Sequence, residues 1–280
     1  MRLEQVKDGG GAEVDGNLNY SGGNGMDIRF DGKVALVTGA STGIGAAIAI
    51  ALGTSGARIA LHYNTNRDKA DEVGGTIKAN GGAETLLVRA DVLEGEQIEK
   101  MVRSVIEKFG TIDILVNNAG GMLDRFAVDA MPETTYMKVM ELNIGSIFRV
   151  SKNVIPFMKK QSRGTIINLS SIAARNGGGG GAVLYAAAKA AVTTFTRGLA
   201  KELAPFSIRV NGIAPGIVLT PFHDKYTRPE MLRDLIGAIP MGRGASAEEI
   251  AGAAIFLASE QLSSFITGEI IEVNGGLLMA

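Results

Sequence analysis

Residues 32–52 leave this chain less choice of fold than any other segment, beginning Gly-Lys-Val-Ala-Leu-Val-Thr-Gly-Ala-Ser-Thr-Gly-Ile-Gly. Val34 to Thr38 is a short, apolar, β-rich run, as a strand buried on both faces requires. Glycines follow at 39, 43 and 45, and Ile44, Ala47, Ile48, Ala51 and Leu52 then recur at the spacing of a helix lying on a sheet. Strand, glycine turn and helix are the context in which backbone N–H groups at a helix N-terminus hold a pyrophosphate. The spacing here is Gly-x-x-x-Gly-x-Gly rather than Gly-x-Gly-x-x-Gly, and an ordinary glycine-rich βα turn is the plainer alternative.

From Asp31 onward the pattern alternates. Apolar strands are expected at 33–38, 57–62, 84–89, 112–116, 164–170, 207–213 and 269–273. Helices are expected near 43–55, 67–80, 95–109, 133–160, 184–204, 221–236 and 246–258; in the third, Ile98, Met101, Val102, Val105, Ile106 and Phe109 form one apolar stripe. Repeated βα units imply a parallel sheet covered on both faces by right-handed crossovers, with ligands beyond the strand C-termini. The expected fold is α/β: a single doubly wound Rossmann domain over 28–280 with a seven-stranded parallel sheet. Residues 1–27, rich in Gly, Asn and Asp and without the apolar stretch of a secretory signal, read as a disordered extension.

Composition narrows the chemistry. The chain has 280 residues, 46% hydrophobic and 20% charged, with a formal net charge of −1. Acids and bases are interspersed, so no nucleic-acid or anionic-membrane surface is expected. There are no cysteines, hence no disulfide, thiol nucleophile or cysteine metal site. His62 and His223 are the only histidines, too few for a histidine zinc centre, and both read as ordinary polar positions. No apolar run reaches the ~18 residues that span a bilayer, and a cytoplasmic enzyme is the expectation.

Tyr185 and Lys189 stand four apart on the helix expected over 184–204, which puts them on one face. An ammonium beside a phenol favours phenolate, so the pair is expected to bring the tyrosine toward working pH as an acid/base. Taken together, the glycine turn and this pair resemble the short-chain dehydrogenase/reductase family, known for Thr-Gly-x-x-x-Gly-x-Gly and Tyr-x-x-x-Lys. The resemblance covers roughly 28–277 and includes Asn117-Asn118-Ala119-Gly120, Asn143, Asn168-Leu169-Ser170-Ser171 and Asn211-Gly212-Ile213-Ala214-Pro215-Gly216.

The resemblance implies hydride transfer between nicotinamide and a carbonyl carbon. It makes Tyr185 the acid/base, Lys189 its pKa modulator and ribose ligand, and Ser171 a donor to the substrate oxygen. Asn143 would hold a water in a proton relay, or be only a polar residue that kinks its helix. Ser171 precedes Tyr185 by one residue more than is usual in the family, which leaves Ser170 as an alternative donor. For the cofactor, the resemblance points to Gly39, Ser41, Thr42, Gly43, Ile44 and Gly45 at the pyrophosphate, and to Asp91 with Val92 at the adenine. Asn117, Ala119 and Gly120 would lie along the adenosine, Asn117 also bracing the sheet, and Pro215, Gly216, Val218 and Thr220 over the carboxamide.

Tyr63, Asn64 and Thr65 end the second expected strand, where NAD-preferring relatives place an acid; the first acid here is Asp68. NADP(H) is therefore the expected preference, with Asn64, Thr65 and Arg67 available to a 2′-phosphate and NAD(H) as the second possibility. Against it, Thr42 stands where NADP-specific relatives often carry a base. Residues 218–240 are expected to form a substrate lid, with Phe222, His223, Tyr226 and Met231 as candidates. The five glycines 177–181 read either as a flexible connection or as a bend beside substrate.

The expected substrate is a small carbonyl or alcohol compound, with a polar ketone or sugar derivative favoured. The alternative is a 3-oxoacyl-acyl-carrier-protein reductase, for which Lys159, Lys160 and Arg163 would supply a docking patch near the site entrance, although Phe206 stands where a base would be welcome. A non-catalytic dinucleotide-binding protein is a third reading, opposed by the intact serine, tyrosine and lysine. A homotetramer is expected. The resemblance implies that helices 133–160 and 184–204 pair across one interface, for which Ala186, Ala187, Ala190, Ala191 and Thr194 offer a small-residue surface. The C-terminal strand and Leu277 to Met279 would meet across another.

Overall fold

Strand β1 (Val34–Val37) shows why the sheet must be covered twice: Ala35 and Val37 pack into one core while Val34 and Leu36 pack into another. Successive side chains point to opposite faces, so an all-apolar strand needs helices on both sides. The computed structural model describes residues 27–279. The expected N-terminal extension, apart from Asp27, lies outside them.

The strands β2 (Arg58–Tyr63), β3 (Thr85–Arg89), β4 (Ile114–Asn117), β5 (Gly164–Leu169), β6 (Ile208–Pro215) and β7 (Ile270–Val273) join β1 in one seven-stranded sheet of order β3-β2-β1-β4-β5-β6-β7. Every pairing is parallel. This is the doubly wound α/β fold expected from the alternating pattern. The chain runs outward to β3 and then crosses back to β4, so the switch point lies between β1 and β4, and a crevice opens beyond their C-termini.

Helices α1 (Gly43–Thr54) and α2 (Arg67–Ala79) cover one face, helped by α10 (Ala247–Ala258), whose N-terminus carries a capping box between Ser246 and Glu249. The other face is covered by α3 (Gly95–Phe109), α5 (Ser146–Gln161) and α7 (Val183–Leu203). In α3, Ile98, Met101, Val102, Val105 and Phe109 are all buried, as their spacing predicts.

Two expected helices are broken. The helix expected over 133–160 is α4 (Glu133–Met140), then a π-helical turn at Glu141–Gly145, then α5; Asn143 stands in the middle of that turn. The helix expected over 221–236 is split into α8 (Pro221–Tyr226) and α9 (Pro229–Gly237). Pro229 accounts for this second break. It disfavours helical backbone at the preceding residue, and Arg228 is extended at φ −63, ψ 146. Short helices α6 (Ala173–Asn176) and α11 (Glu260–Ser263) have no counterpart in the expected pattern. No described helix is long and apolar enough to cross a membrane.

Candidate active site

A cavity of about 640 Å³ opens at the C-terminal ends of the strands. Its dinucleotide end is built by the turn between β1 and α1. Gly39 and Gly43 adopt left-handed backbone, at φ +63 and +58. A Cβ on Gly45 would lie 2.3 Å from the Gly39 carbonyl oxygen and 2.4 Å from Asn118 Nδ2, so only glycine fits there. Asn118 Nδ2 donates to the carbonyls of Thr38 (2.9 Å) and Gly39 (3.0 Å), and Thr38 Oγ1 accepts from the Asn118 and Ala119 amides. These bonds tie the tip of β1 to that of β4 and fix the turn.

The residues present fit a nicotinamide dinucleotide. Thr42, the N-cap of α1, makes no side-chain cap, and no acid stands in the first turn, so that helix end offers backbone N–H groups to an anion. Gly39, Ser41, Thr42, Gly43 and Ile44 line the cavity here, with Asn64 and Thr65 beyond β2 and Asp91 and Val92 beyond β3. Ala119 and Gly120 line it from β4, and Pro215, Gly216, Val218 and Thr220 from β6.

Three of the expected cofactor residues do not line it. Gly45 packs behind the turn, and Tyr63 is buried in the sheet. Asn117 is buried below the crevice, where its Nδ2 donates to Asn168 Oδ1 (2.9 Å) and Ser151 Oγ (3.1 Å). Asn168 in turn donates to Thr196 Oγ1 (2.9 Å), so one polar chain links α5, β4, β5 and α7 under the site.

At the other end, Ser171, Tyr185 and Lys189 converge. Ser171 accepts from the Ala173 amide (3.1 Å), and its hydroxyl is close enough to the Tyr185 phenol to act on that group's acidity. Ser170 is engaged elsewhere: its hydroxyl lies 3.0 Å from the Lys189 carbonyl and 2.9 Å from Thr193 Oγ1, which anchors α7 on β5. Lys189 is buried, donates to the Leu169 carbonyl at 2.7 Å, and holds its ammonium 5.7 Å from the Tyr185 ring centre.

The expected lowering of the Tyr185 pKa is not found. Burial pushes the phenol up to about 12, with only the Ser171 hydrogen bond opposing it, and burial lowers Lys189 to about 8. Desolvation is the largest cause at both groups.

Asn143 is also buried and does not line the cavity. Its Nδ2 donates to the carbonyls of Gly121 and Val139 (both 2.8 Å) and its Oδ1 accepts from the Gly121 amide (3.1 Å), so the side chain is spent on protein. A Cβ on Gly120 would sit 2.8 Å from Asn143 Oδ1 and 3.4 Å from Lys189 Nζ, which makes glycine necessary between them.

Two contributors escaped the sequence reading. His62, read as an ordinary polar residue, accepts from the Gly39 amide at Nδ1 (2.9 Å) and reaches the Ala90 carbonyl through Nε2 (3.0 Å). It thus braces the glycine turn between β2 and β3, and burial lowers its pKa. Arg125 in the loop after β4 bonds to carbonyls from two other segments; a loop arginine carries no periodic signal. The patch suggested by Lys159, Lys160 and Arg163 is misplaced. These residues precede β5, whose far end carries the site about 20 Å away at strand rise, and Arg163 pairs with Asp113 while Lys159 covers the Phe206 ring.

A protein-family model described as Enoyl-(Acyl carrier protein) reductase matches residues 39–278. A 3-oxoacyl-[acyl-carrier-protein] reductase of Synechocystis sp. is 39% identical over 247 residues, covering 88% of this chain and 97% of the relative. Among solved structures, an NADH-dependent reductase A1-R' responsible for alginate metabolism superposes with a TM-score of 0.82 at 36% identity, covering 89% of this chain and 98% of that one. A 7α-hydroxysteroid dehydrogenase complexed with NADH and 7-oxo glycochenodeoxycholic acid gives 0.83 at 36% identity, with 89% and 96% covered. The chain therefore belongs to the short-chain dehydrogenase/reductase family and is an NAD(P)(H)-dependent oxidoreductase that moves hydride between nicotinamide and a carbonyl or secondary alcohol.

Proposed function

We propose that the protein reduces a small polar carbonyl compound with Tyr185 as proton donor and NADP(H) as the preferred cofactor. The observation that supports it best is the convergence of Ser171, Tyr185 and Lys189 on one cavity, with the Lys189 ammonium 5.7 Å from the Tyr185 ring centre. When bound, the dinucleotide supplies the hydride. The phenol, protonated at neutral pH and made a weaker acid still by burial, gives its proton to the carbonyl oxygen. Ser171, whose hydroxyl oxygen accepts from the Ala173 amide, turns its one hydroxyl hydrogen from the phenol to the same oxygen once substrate is bound. Lys189 places positive charge beside the phenolate that forms, and Asn143 positions the Gly120–Gly121 backbone that passes Lys189. Residues 218–240 act as the lid: Phe222, Tyr226 and Met231 line the cavity, and the Phe222 ring lies 5.8 Å from that of Tyr185.

Support for NADP(H) comes from the end of β2, where Asn64, Thr65 and Asn66 line the cavity without a carboxylate and Arg89 Nε donates to the Asn64 carbonyl (3.2 Å). Arg67 is turned to Asp71 instead. With a panel of small ketones, kcat/KM should be higher for NADPH than for NADH, and a ratio of one or below would overturn the preference.

A second reading, 3-oxoacyl-acyl-carrier-protein reduction, is favoured by the name of the Synechocystis relative. Poor turnover of a 3-oxoacyl carrier-protein thioester beside good turnover of a small ketone would decide against it.

The assembly we propose is a homotetramer. Tyr136, Met137, Phe148 and Phe157 leave apolar side chains exposed on α4 and α5, and Ala187 and Thr194 give α7 an exposed small-residue surface. Ala186, expected on that surface, is buried within the subunit. Light scattering at micromolar concentration should give four times the chain mass; a monomer mass would refute this.

A further inference from the structure

The substrate end of the cavity is lopsided in charge. Arg125 and Lys225 line it, and no carboxylate does; Asp91, at the far end beyond β3, is the one acid among the described lining residues. Arg125 is half-buried, and its Nε and Nη1 donate to the carbonyls of Tyr226 (2.6 Å) and Gly180 (2.8 Å). Its Nη2 donates to no described residue, and no described carboxylate pairs with it. Asp124 next to it caps the Arg125 amide instead, and Asp224 acts on His223. Burial lowers the Arg125 pKa with no acid opposing that shift. A cation withdrawn from water without a counter-ion is costly unless something anionic completes it.

Gly181, the last of the five-glycine run, makes room for this side chain. A Cβ on Gly181, at φ +74, would lie 2.9 Å from Arg125 Cβ, and Gly179 has Arg125 Nη1 3.8 Å from the same position. Gly181 is thus fitted against the arginine, and Arg125 spans the β4 loop, the glycine run and the end of α8.

We infer that Arg125, with Lys225 at the rim, binds a carboxylate on the substrate, so that the physiological compound is an oxo acid or the matching hydroxy acid. This rests on the carbonyl-reductase reading above. A guanidinium held by two carbonyls keeps a fixed direction for its remaining N–H groups, which suits a planar anion.

The test compares short 2-oxo, 3-oxo and 4-oxo acids with their primary amides, which match them in shape and lack the charge. In wild type the best acid should exceed its amide in kcat/KM by about tenfold or more, the factor expected of one charge-assisted hydrogen bond. Arg125→Gln should remove that preference, the acid losing about tenfold or more in kcat/KM relative to its amide on top of whatever loss both share through the latch. Lys225→Glu should reduce the preference without touching the latch to Gly180 and Tyr226, which keeps the test open where Arg125→Gln fails to fold. Equal turnover of acid and amide in wild type would overturn the inference yet leave the reductase reading intact. Equal losses on both in Arg125→Gln would assign the arginine to the latch alone and also overturn it. Turnover of neither series would count against the reductase reading. Calorimetric titration of NADPH-loaded enzyme with the same acids would then decide the site: binding to wild type and none to Arg125→Gln supports it, and no binding to wild type overturns it.

Discussion

Tyr185→Phe should lower kcat by about 10²–10⁴, the contribution of a positioned acid/base, while cofactor affinity stays nearly unchanged. The substitution deletes one oxygen. The ring keeps its place on α7 and its contact with Phe222, and the Lys189 bond to the Leu169 carbonyl does not depend on the phenol. What is lost is the proton donor and the partner of Ser171. Cofactor-fluorescence titration and steady-state turnover on the same preparation separate the two effects. Retention of more than a few per cent of wild-type turnover would remove Tyr185 from the chemistry, and loss of cofactor binding would mean that the substitution had disturbed the fold of the site.

Gly45→Ala should weaken cofactor binding by about a hundredfold or more and destabilise the protein. The added methyl group would stand 2.3 Å from the Gly39 carbonyl oxygen and 2.4 Å from Asn118 Nδ2, so backbone must move. The Asn118 bonds to Thr38 and Gly39 would loosen, and with them the turn that aims the α1 N–H groups. Two such anion-directed bonds at ~1.5 kcal/mol each already account for a hundredfold, and overpacking costs about 1–3 kcal/mol of stability besides. Gly75→Ala is the control. Its Cβ would meet nothing within 4 Å on α2, and removing a helix glycine stabilises by about 0.5–1 kcal/mol. Thermal denaturation and cofactor titration read both variants, and an unchanged affinity in Gly45→Ala would contradict the role given to the turn.

The elements that the sequence made legible are those whose burial is periodic. The strands lie within about two residues of the expected ranges because parallel strands covered on both faces are continuous apolar runs. The glycine turn was legible because left-handed backbone and close contact restrict the residue itself. The π-helical turn at Asn143 was not, since it depends on a side chain reaching Gly121 in another loop, a contact that helical spacing along 133–160 does not encode. The division at Pro229 was written in the sequence, and apolar periodicity across 221–236 masked it. Charge was the least legible property. The Tyr185–Lys189 spacing suggested a depressed phenol, whereas the phenol is raised because burial, a property of the whole crevice, dominates the pair. Lys159 and Arg163 looked available near the site only until the direction of β5 placed them at the opposite end of the strands.

The central claim is direct hydride exchange between nicotinamide and a carbonyl carbon, completed by a proton from Tyr185. It is tested by supplying the enzyme with NADPH deuterated at the transferable C4 position, together with the ketone that it turns over best, and examining the alcohol by mass spectrometry. The account predicts one deuterium on the carbinol carbon for each cofactor oxidised, and none in the Tyr185→Phe product pool beyond its residual turnover. Cofactor oxidation without deuterium on that carbon, or label lost to water, would contradict it.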